Sequence, residues 1–291
     1  MSELKIGFQG EPGAYSELAA FEHFGSEIKT LPCDSFDDVF DAIIHAECNH
    51  GVLPFENSLT GSIHRNFDLI TRHDVNIVGE YHMRVSHCLL GLSGVNVDEI
   101  MVVHSHPQAL QQCERSLVKL GVHTIAETDT AGSARFVKAK ANSATAAIAS
   151  KRAAEVYGLE ILIENFEDNP ANFTRFLALA KEPQLVEDPE DGDYKTSVVF
   201  SLKNKPGVLF KALSVFALRD IDLTKIESRP IVGKPWEYMF YVDFEGHRKA
   251  VNCDRALEHL GELAAYMKVL GSYARHRVNS KEPRINADEQ G

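Results

Sequence analysis

The first 180 residues repeat a short apolar strand, a turn of small residues and an amphipathic helix, and this repeat restricts the fold more than any other feature. Residues 5–8 are the first such strand, and residues 10–13 form the turn that follows it. Ala14, Leu18 and Phe21 then share one face of a helix. The same order recurs from residues 51, 100, 122 and 146. Alternating strands and helices predict an α/β fold with a mostly parallel sheet covered by helices.

An acidic segment that contains two prolines, residues 182–193, interrupts this repeat. It has few apolar side chains to bury and therefore predicts a linker. Beyond it, the order strand, helix, strand, strand, helix, strand predicts a ferredoxin-like βαββαβ domain. We therefore predict a first domain at residues 1–181, a linker at 182–194, a second domain at 195–277 and a polar, disordered tail at 278–291.

The composition argues against several classes of partner. Thirty Lys and Arg stand against 42 Asp and Glu, so the net charge is −12. Nucleic acids and anionic membranes select basic surfaces, and we expect neither as a partner. We also expect no membrane span and no secretory signal, since no stretch is long and apolar enough. The five cysteines are scattered without CxxC spacing, which is typical of reduced thiols in the cytoplasm.

The sequence contains no motif that predicts a metal or a nucleotide cofactor. His104 and His106 are the nearest metal candidates, but they have no neighbouring cysteine or acidic residue in the sequence and are more typical of a turn. Gly7, Gly10 and Gly13 do not spell GxGxxG, and GxxxxGK[ST] is absent. We therefore expect no cofactor and no metal.

Several predicted strands end in hydroxyl or amide side chains. In open α/β sheets, ligands bind at the carboxyl ends of strands, where the first turns of helices favour anions. A capped helix is the alternative at each turn, and we expect Ser105 to cap the helix that begins with Pro107. The side chains concerned are Tyr15, Ser16, Asn57, Ser58, Ser105, Thr128, Asp129 and Thr130, together with Gln108 and Gln112 on one helical face.

Residues 169–176, NPANFTRF, place a hydroxyl and a positive charge at the start of an apolar strand. In a strand that begins near Phe173, Thr174 and Phe176 share one face and Arg175 points to the other. Thr174 would then face a cleft at the strand end, while Arg175 would fix the scaffold or a ligand carboxylate. The alternative is an ordinary β-branched residue beside a structural arginine.

Several motifs, in the same order along the chain, resemble those of the prephenate dehydratase family. They are residues 10–16 (GEPGAYS), 56–62 (ENSLTGS), 105–113 (SHPQALQQC), 172–176 (NFTRF) and 227–230 (ESRP). The GALV element of the family stands here as GVLF at residues 207–210, which keeps the glycine and the apolar character. The resemblance spans residues 4–277.

This resemblance implies a fold and an activity. The catalytic domain would have two lobes, about residues 1–82 with 160–181 and residues 83–159, arranged like a type-2 periplasmic binding protein and followed by an ACT domain. The family converts prephenate to phenylpyruvate, water and CO2 without a cofactor. A fused chorismate mutase is not expected, because no mutase helix precedes Lys5. Arogenate dehydratase and a non-catalytic sensor of small anions are the alternatives.

The resemblance also implies roles for individual residues. Thr174 would hydrogen-bond the departing hydroxyl, and a protonated Glu56 is the candidate proton source. The expected substrate contacts are Tyr15, Ser16, Asn57, Ser58, Ser105, Gln112, Asn172, Arg175 and Phe176. L-Phenylalanine is the expected allosteric effector, at Asn204, Gly207, Val208, Leu209, Glu227, Ser228, Arg229 and Pro230. This second site would lie at an interface of a homodimer or homotetramer.

Overall fold

A computed structural model describes residues 3–277, apart from residues 187, 191 and 232. The predicted polar tail at residues 278–291 lies outside the described residues. The chain divides into two compact units. The first contains the described residues up to Asn66 together with Tyr81–Phe176, and the second contains Phe67–Glu80 and Leu177–Arg277. No helix in the described part of the chain has the length and apolar character needed to cross a bilayer.

The described residues form fifteen strands. They are Lys5–Gln9 (β1), Lys29–Cys33 (β2), His50–Asn57 (β3), Gly61–Ser62 (β4), Asn76–Arg84 (β5), Cys88–Gly91 (β6), Val102–Ser105 (β7), His123–Ala126 (β8), Thr145–Ala149 (β9), Glu160–Ile163 (β10), Phe173–Ala180 (β11), Tyr194–Leu202 (β12), Leu223–Pro230 (β13), Tyr238–Glu245 (β14) and Ala264–Ala274 (β15). The first sheet has the order β2-β1-β3-β11-β5, with β4 beside β3. The second sheet has the order β10-β6-β9-β7-β8, and the third β13-β14-β12-β15.

Nine α-helices connect these strands in the described chain. They are Tyr15–Phe24 (α1), Phe36–Ile44 (α2), His64–Arg72 (α3), Pro107–Gln112 (α4), Glu114–Leu120 (α5), Thr130–Lys140 (α6), Lys151–Tyr157 (α7), Val208–Ala217 (α8) and Val251–Leu263 (α9). Ser35, Asp129 and Ser150 each accept a hydrogen bond from the first turn of the helix that follows, namely α2, α6 and α7. These caps satisfy amides that would otherwise lack partners, so the helix starts follow from local sequence.

Strand β9, with the sequence TAAIA, shows how the second sheet is covered on both faces. Ala146 and Ile148 are buried in the cluster to which α4 and α5 contribute. Ala147 and Ala149 are buried in the cluster to which α6 and α7 contribute. Because successive side chains of a strand alternate between faces, a strand with only apolar residues after Thr145 is typical of a sheet covered on both sides. The predicted α/β class is confirmed, with β1 parallel to β2 and β3, and β7 parallel to β8 and β9.

Two local features differ from the prediction. Residues 160–163, predicted to belong to the first lobe, form β10 and pair with β6 of the second sheet, so the chain leaves that sheet only after Ile163. Ser105 is the last residue of β7, because it still pairs with Ala126 of β8. The N-cap of α4 is therefore His106, which accepts a hydrogen bond from the Gln108 amide.

The third sheet and its helices have the predicted βαββαβ order, which runs β12, α8, β13, β14, α9 and β15. Phe200 of β12, Phe216 of α8 and Phe244 of β14 are fully buried in one core cluster. Alternate residues of β12 enter this cluster, so α8 and α9 cover one face of the sheet. The strand begins at Tyr194, the last residue of the predicted linker.

The second unit contains a close backbone approach at Gly271 of β15. A Cβ atom at this position would lie 2.1 Å from the backbone oxygen of Ile77. Nearby on the same strand, the Lys268 ammonium donates to the carbonyl oxygens of Ile70 and His73, at 3.0 and 2.6 Å, where α3 ends. A positive charge at the carboxyl end of a helix stabilises it. The close approach of the Ile77 backbone leaves no room for a side chain at position 271, so glycine is required there.

We predict that Gly271→Ala lowers the free energy of unfolding by about 2 to 3 kcal/mol, or prevents folding, because backbone atoms of Ile77 must move. Gly261→Ala in α9 is the matched control, since the nearest atom to its Cβ is the flexible Met267 Cε at 3.5 Å. Helix propensity there predicts a gain of about 0.5 to 1 kcal/mol. Chemical denaturation measures both variants, and equal stabilities would contradict the packing argument.

Candidate active site

One cavity of about 220 Å³ in the first unit collects side chains from separate parts of the chain. The end of β3, the start of β11, the first turn of α1 and helix α4 all contribute to it. Its wall consists of Tyr15, Ser16, Pro54, Asn57, Thr60, Ile63, Val85, His87, His106, Gln108, Ala109, Gln112, Thr130, Asn172, Thr174 and Phe176. Seven predicted site residues are thus brought together, namely Tyr15, Ser16, Asn57, Gln112, Asn172, Thr174 and Phe176.

Asn57, the last residue of β3, connects this strand to the start of β11. Its Oδ1 accepts hydrogen bonds from the backbone amides of Leu59 and Thr60, at 3.0 and 3.1 Å. Its Nδ2 donates to Asn172 Oδ1 at 2.7 Å and to Thr174 Oγ1 at 3.0 Å. The side chain is buried, and a buried polar group with its partners in place makes the surrounding structure rigid. Asn57 therefore fixes the position of the Thr174 hydroxyl.

Thr174 faces the cavity together with Phe176, as the alternation of strand residues predicts. Its side chain is buried, and its Oγ1 is the acceptor of the Asn57 hydrogen bond. A threonine hydroxyl has one hydrogen to donate and two lone pairs. With a lone pair engaged by Asn57, the hydroxyl hydrogen is free to turn toward a ligand in the cavity.

A chain of hydrogen bonds continues from Asn172 away from Thr174. Asn172 Nδ2 donates to Gln112 Oε1 at 3.0 Å, and the same oxygen lies 2.8 Å from His87 Nε2. His87 Nδ1 lies 2.7 Å from the Tyr15 hydroxyl. Burial lowers the pKa of His87, and burial raises the pKa of Tyr15 well above its usual value, so both side chains are neutral near pH 7. His87 was not identified from the sequence, because nothing in the residues around it indicates that its partner, Gln112, lies 25 residues further along the chain.

Glu56 and Arg175 lie together on the opposite side of the sheet from Thr174. Glu56 Oε2 is 3.9 Å from Arg175 Nη1, and neither residue lines the cavity. Each is the strand neighbour of a cavity residue, Asn57 or Thr174, and neighbouring side chains point to opposite faces. The predicted supply of a proton from Glu56 to Thr174 does not fit this geometry, and Arg175 is placed to hold the strand.

The hydroxyls of Ser58 and Ser105 have hydrogen-bond partners within the protein, and neither residue lines the 220 Å³ cavity. Ser58 Oγ donates to the Ala171 carbonyl at 2.8 Å and accepts from the Phe173 amide at 2.9 Å. Ser105 is fully buried, and its Oγ donates to the Ile148 carbonyl at 2.6 Å. Ser58 thus fixes the segment before Thr174, and Ser105 joins β7 to β9.

The turn before α1 brings Tyr15 and Ser16 to the cavity. Gly13 has φ of 93°, and a Cβ on it would lie 2.8 Å from Ala153 Cα of α7. Ser150, the N-cap of α7, also donates to the Gly13 carbonyl at 2.5 Å. Only glycine suits both the backbone angle and the close approach. The N-cap residue of α1, Ala14, supplies no side-chain cap, and the buried carboxylate of Glu17 in the first turn accepts a hydrogen bond from the Gly13 amide at 2.7 Å.

A second cavity of about 510 Å³ shares Tyr15, Ser16, His106 and Thr130 with the first. Arg65 contributes to its wall and pairs with Asp37 at 2.5 Å. Both of these side chains are largely exposed, so their attraction is weakened by solvent. The guanidinium therefore supplies a positive charge beside the polar cavity.

The predicted effector residues lie in two segments of the second unit. Gly207 precedes α8 with φ of 74°, a conformation that favours glycine, and Val208 and Leu209 pack against the third sheet's core. Arg229 Nη1 near the end of β13 pairs with Asp68 Oδ1 of α3 at 2.9 Å. The other predicted residues in these two segments are Asn204, Glu227, Ser228 and Pro230.

Two family models match the sequence. The model described as prephenate dehydratase matches residues 6–184, which is more than half of the chain. The chain belongs to the prephenate dehydratase family. The model described as an ACT domain matches residues 196–258, which include most of β12, all of α8, β13 and β14, and the first part of α9.

Individual relatives are similar over almost the whole chain. Arogenate dehydratase/prephenate dehydratase 1 of Arabidopsis thaliana, a chloroplastic protein, is 48% identical over 94% of this chain and 72% of its own length. Prephenate dehydratase of Arthrobacter aurescens, solved in complex with L-Phe, has a TM-score of 0.84 at 28% identity, covering 94% and 90% of the two chains. GqqA, described as a novel type of quorum quenching acylase, has a TM-score of 0.85 at 37% identity, covering 94% and 98%.

These matches confirm three predictions. The family deduced from the motifs is right, and so is the two-lobed α/β fold followed by an ACT domain. The predicted enzyme class, a lyase of the dehydratase type, is that of the family.

We predict that Asn57→Asp lowers the free energy of unfolding by about 1 to 3 kcal/mol, because an oxygen replaces the donor that faces Asn172 Oδ1 and Thr174 Oγ1. Asn142→Asp is the matched control, since this exposed residue uses its Oδ1 as an acceptor from the Ala144 amide, and aspartate keeps that oxygen. Thermal and urea denaturation compare the two. A stable Asn57→Asp variant would show that the connection between β3 and β11 is unimportant.

Proposed function

We propose that this protein converts prephenate to phenylpyruvate, with loss of water and CO2, as a step of L-phenylalanine synthesis. The observation that supports this most directly is the Thr174 hydroxyl, which accepts a hydrogen bond from Asn57 and keeps its own hydrogen for a ligand in the cavity. The family and the relatives from Arabidopsis and Arthrobacter support the same reaction.

The reaction breaks two bonds of the prephenate ring and forms an aromatic ring. The electron pair of the bond to the ring carboxylate enters the ring as CO2 departs, the double bonds shift, and the bond from the ring carbon to the 4-hydroxyl breaks. Hydroxide is a poor leaving group, so a hydrogen bond that strengthens as its charge develops lowers the barrier. In our proposal Thr174 donates this hydrogen bond, and the departing hydroxide takes up one proton from bulk solvent, so that one prephenate dianion and one proton give one phenylpyruvate anion, CO2 and water.

The two carboxylates of prephenate require hydrogen-bond donors in place of their hydration. Gln108 and Gln112 of α4 carry neutral amides in the cavity wall. Arg65 adds a positive charge in the adjoining cavity. We propose that these groups bind the carboxylates.

Arogenate dehydratase is the second candidate, because the name of the Arabidopsis relative includes both substrates. Arogenate carries an ammonium group where prephenate carries a keto group. A buried ammonium needs an acidic partner, and no aspartate or glutamate is among the described residues that line the 220 Å³ cavity. The wall of this cavity therefore favours prephenate. Asp129 lines the adjoining 510 Å³ cavity, where its carboxylate accepts from the Gly132 amide as the N-cap of α6. The values of kcat/KM measured on both substrates decide between them.

Acyl hydrolysis, which the description of GqqA suggests, has less support. It requires an activated nucleophile or an activated water. Cys88 and Cys113, which follow His87 and Gln112, are buried, and burial raises the pKa of both thiols. A thiolate is therefore disfavoured at both positions.

We further propose that residues 1–181 carry catalysis and that residues 195–277 bind L-phenylalanine as a feedback inhibitor in a homodimer or homotetramer. The ACT match and the L-Phe complex of the Arthrobacter protein support an effector site. Arg229, in the predicted effector motif, pairs with Asp68 of α3. Two residues earlier in that helix, Asn66 donates to the Pro54 carbonyl at 2.7 Å, and Pro54 lines the cavity. A cytoplasmic location remains a prediction.

We predict that Thr174→Ala lowers kcat by about 100-fold or more, because the developing hydroxide loses its donor. Thr174→Ser keeps the hydroxyl and is expected to keep most of the turnover. The measurement is the absorbance of phenylpyruvate after mixing purified protein with prephenate. Wild-type protein that forms no product above the spontaneous background would exclude the enzyme, and near-normal turnover by Thr174→Ala would exclude only this role.

We predict that Asp68→Asn leaves turnover of prephenate intact and raises the L-phenylalanine concentration needed for half-inhibition, because the ion pair to Arg229 is lost. Asp74→Asn is the matched control, since it makes the same change at an exposed position soon after α3 ends. Inhibition curves at fixed prephenate measure the effect. Superimposable curves for the wild type and Asp68→Asn would argue against coupling through this pair.

A further inference from the structure

The hydrogen-bond partners of Asn57 fix the orientation of its amide without ambiguity. Two backbone N–H groups, from Leu59 and Thr60, point at its Oδ1, and a backbone N–H can only donate. Its other terminal atom lies 3.2 Å from the carbonyl oxygen of Phe173, which can only accept. That atom must therefore be the amino nitrogen, Nδ2.

This orientation determines those of the next two amides. Asn57 Nδ2 donates to the terminal atom of Asn172 at 2.7 Å, which must therefore be Oδ1. The remaining atom of Asn172, Nδ2, donates to Gln112 at 3.0 Å, so the acceptor there must be Oε1. Reversing either amide would bring two donors or two acceptors together. The Gln112 oxygen is thus an acceptor in this network.

His87 Nε2 lies 2.8 Å from this same oxygen. A hydrogen bond between them exists only if Nε2 carries a hydrogen. The neutral imidazole then leaves Nδ1 bare, and Nδ1 accepts from the Tyr15 hydroxyl at 2.7 Å. The Tyr15 oxygen is also 2.9 Å from the Ser86 carbonyl, so its hydrogen has two acceptors within reach.

We infer that His87 is a positioning residue for substrate binding. Its Nε2–H donates to the Gln112 side-chain oxygen and so fixes the orientation of that amide. The Gln112 amino group is then the free end of a side chain that lines the cavity. No residue in the described chain accepts a hydrogen bond from this Gln112 amino group. With the Thr174 hydroxyl, the network presents donors to the cavity, which is the polarity that a dicarboxylate requires. This role rests on the proposed function for its substrate.

The surroundings of His87 suit a fixed neutral tautomer. The ring is 2% exposed, lies edge-on to Tyr15 of α1 and contacts Gln112 of α4. The His87 backbone amide donates to the Glu167 carboxylate at 2.8 Å, and Arg84 pairs with that carboxylate at 2.8 Å. The neighbouring charge is therefore compensated, and the ring nitrogens meet neutral partners. No other neutral side chain offers both a donor and an acceptor at opposite edges of a rigid ring.

Two variants with side chains of similar length test whether His87 positions Gln112. His87→Met removes the donor and the acceptor, and we expect kcat/KM for prephenate to fall about 10- to 100-fold, mostly through a higher KM, because Gln112 loses its orientation before the chemical step. His87→Gln can still donate to Gln112 Oε1, and we expect it to recover most of the lost affinity. If His87 had only a structural role, the two variants would not differ in KM while having similar values of kcat.

The tautomer of His87 can be measured directly and does not depend on activity. In wild-type protein labelled with 15N-histidine, two-bond proton–nitrogen spectra should show a protonated Nε2 and a bare Nδ1, and this signal should vanish in His87→Gln. A protonated Nδ1 with a bare Nε2 would overturn the inference even if His87→Met does not fold. Wild-type turnover with an unchanged KM in His87→Met would also overturn it. Wild-type protein without turnover would instead overturn the proposed function, while the spectra still decide the tautomer.

Discussion

The amide of Asn57 is the interaction on which the site depends. It lies at the end of β3, holds the following loop through two backbone amides, and holds Asn172 and Thr174 at the start of β11. The buried side chain of Asn57 therefore fixes both the start of the loop after β3 and the position of the Thr174 hydroxyl on β11. β3 and β11 are hydrogen-bonded neighbours in the first sheet, and the Asn57 amide adds the side-chain partner that holds the Thr174 hydroxyl.

The cavity presents oriented neutral dipoles to its ligand, and Glu56 and Arg175 lie behind the sheet. Because the net charge is −12, the protein offers no long-range attraction for the dianionic substrate that we propose. Amides and hydroxyls held in place would need no rearrangement as charge moves from the carboxylate toward the leaving oxygen in the proposed reaction. Binding and catalysis then depend on how accurately these groups are held, which explains why so much of the wall consists of side chains that bond one another.

The boundary between the two units falls within helix α3, between Asn66 and Phe67. Asn66 in its first turn is fully buried and donates to the Pro54 carbonyl of β3. Further along the helix, Asp68 pairs with Arg229, and the Thr71 and Tyr241 hydroxyls lie 3.0 Å apart. A helix is stiff over this length, so these side chains stand at fixed spacings along it.

The sequence by itself determined the α/β class, the βαββαβ order of the second domain and the face of β11 on which Thr174 lies, because apolar periodicity and strand alternation are local properties. The motifs also determined the family. Only the tertiary structure decided that Glu56 shares its face with Arg175, that Ser105 bonds Ile148, and that His87 meets Gln112. Each of these depends on which strands are neighbours and in what register, and register is set by the packing of the whole chain, which no short segment contains.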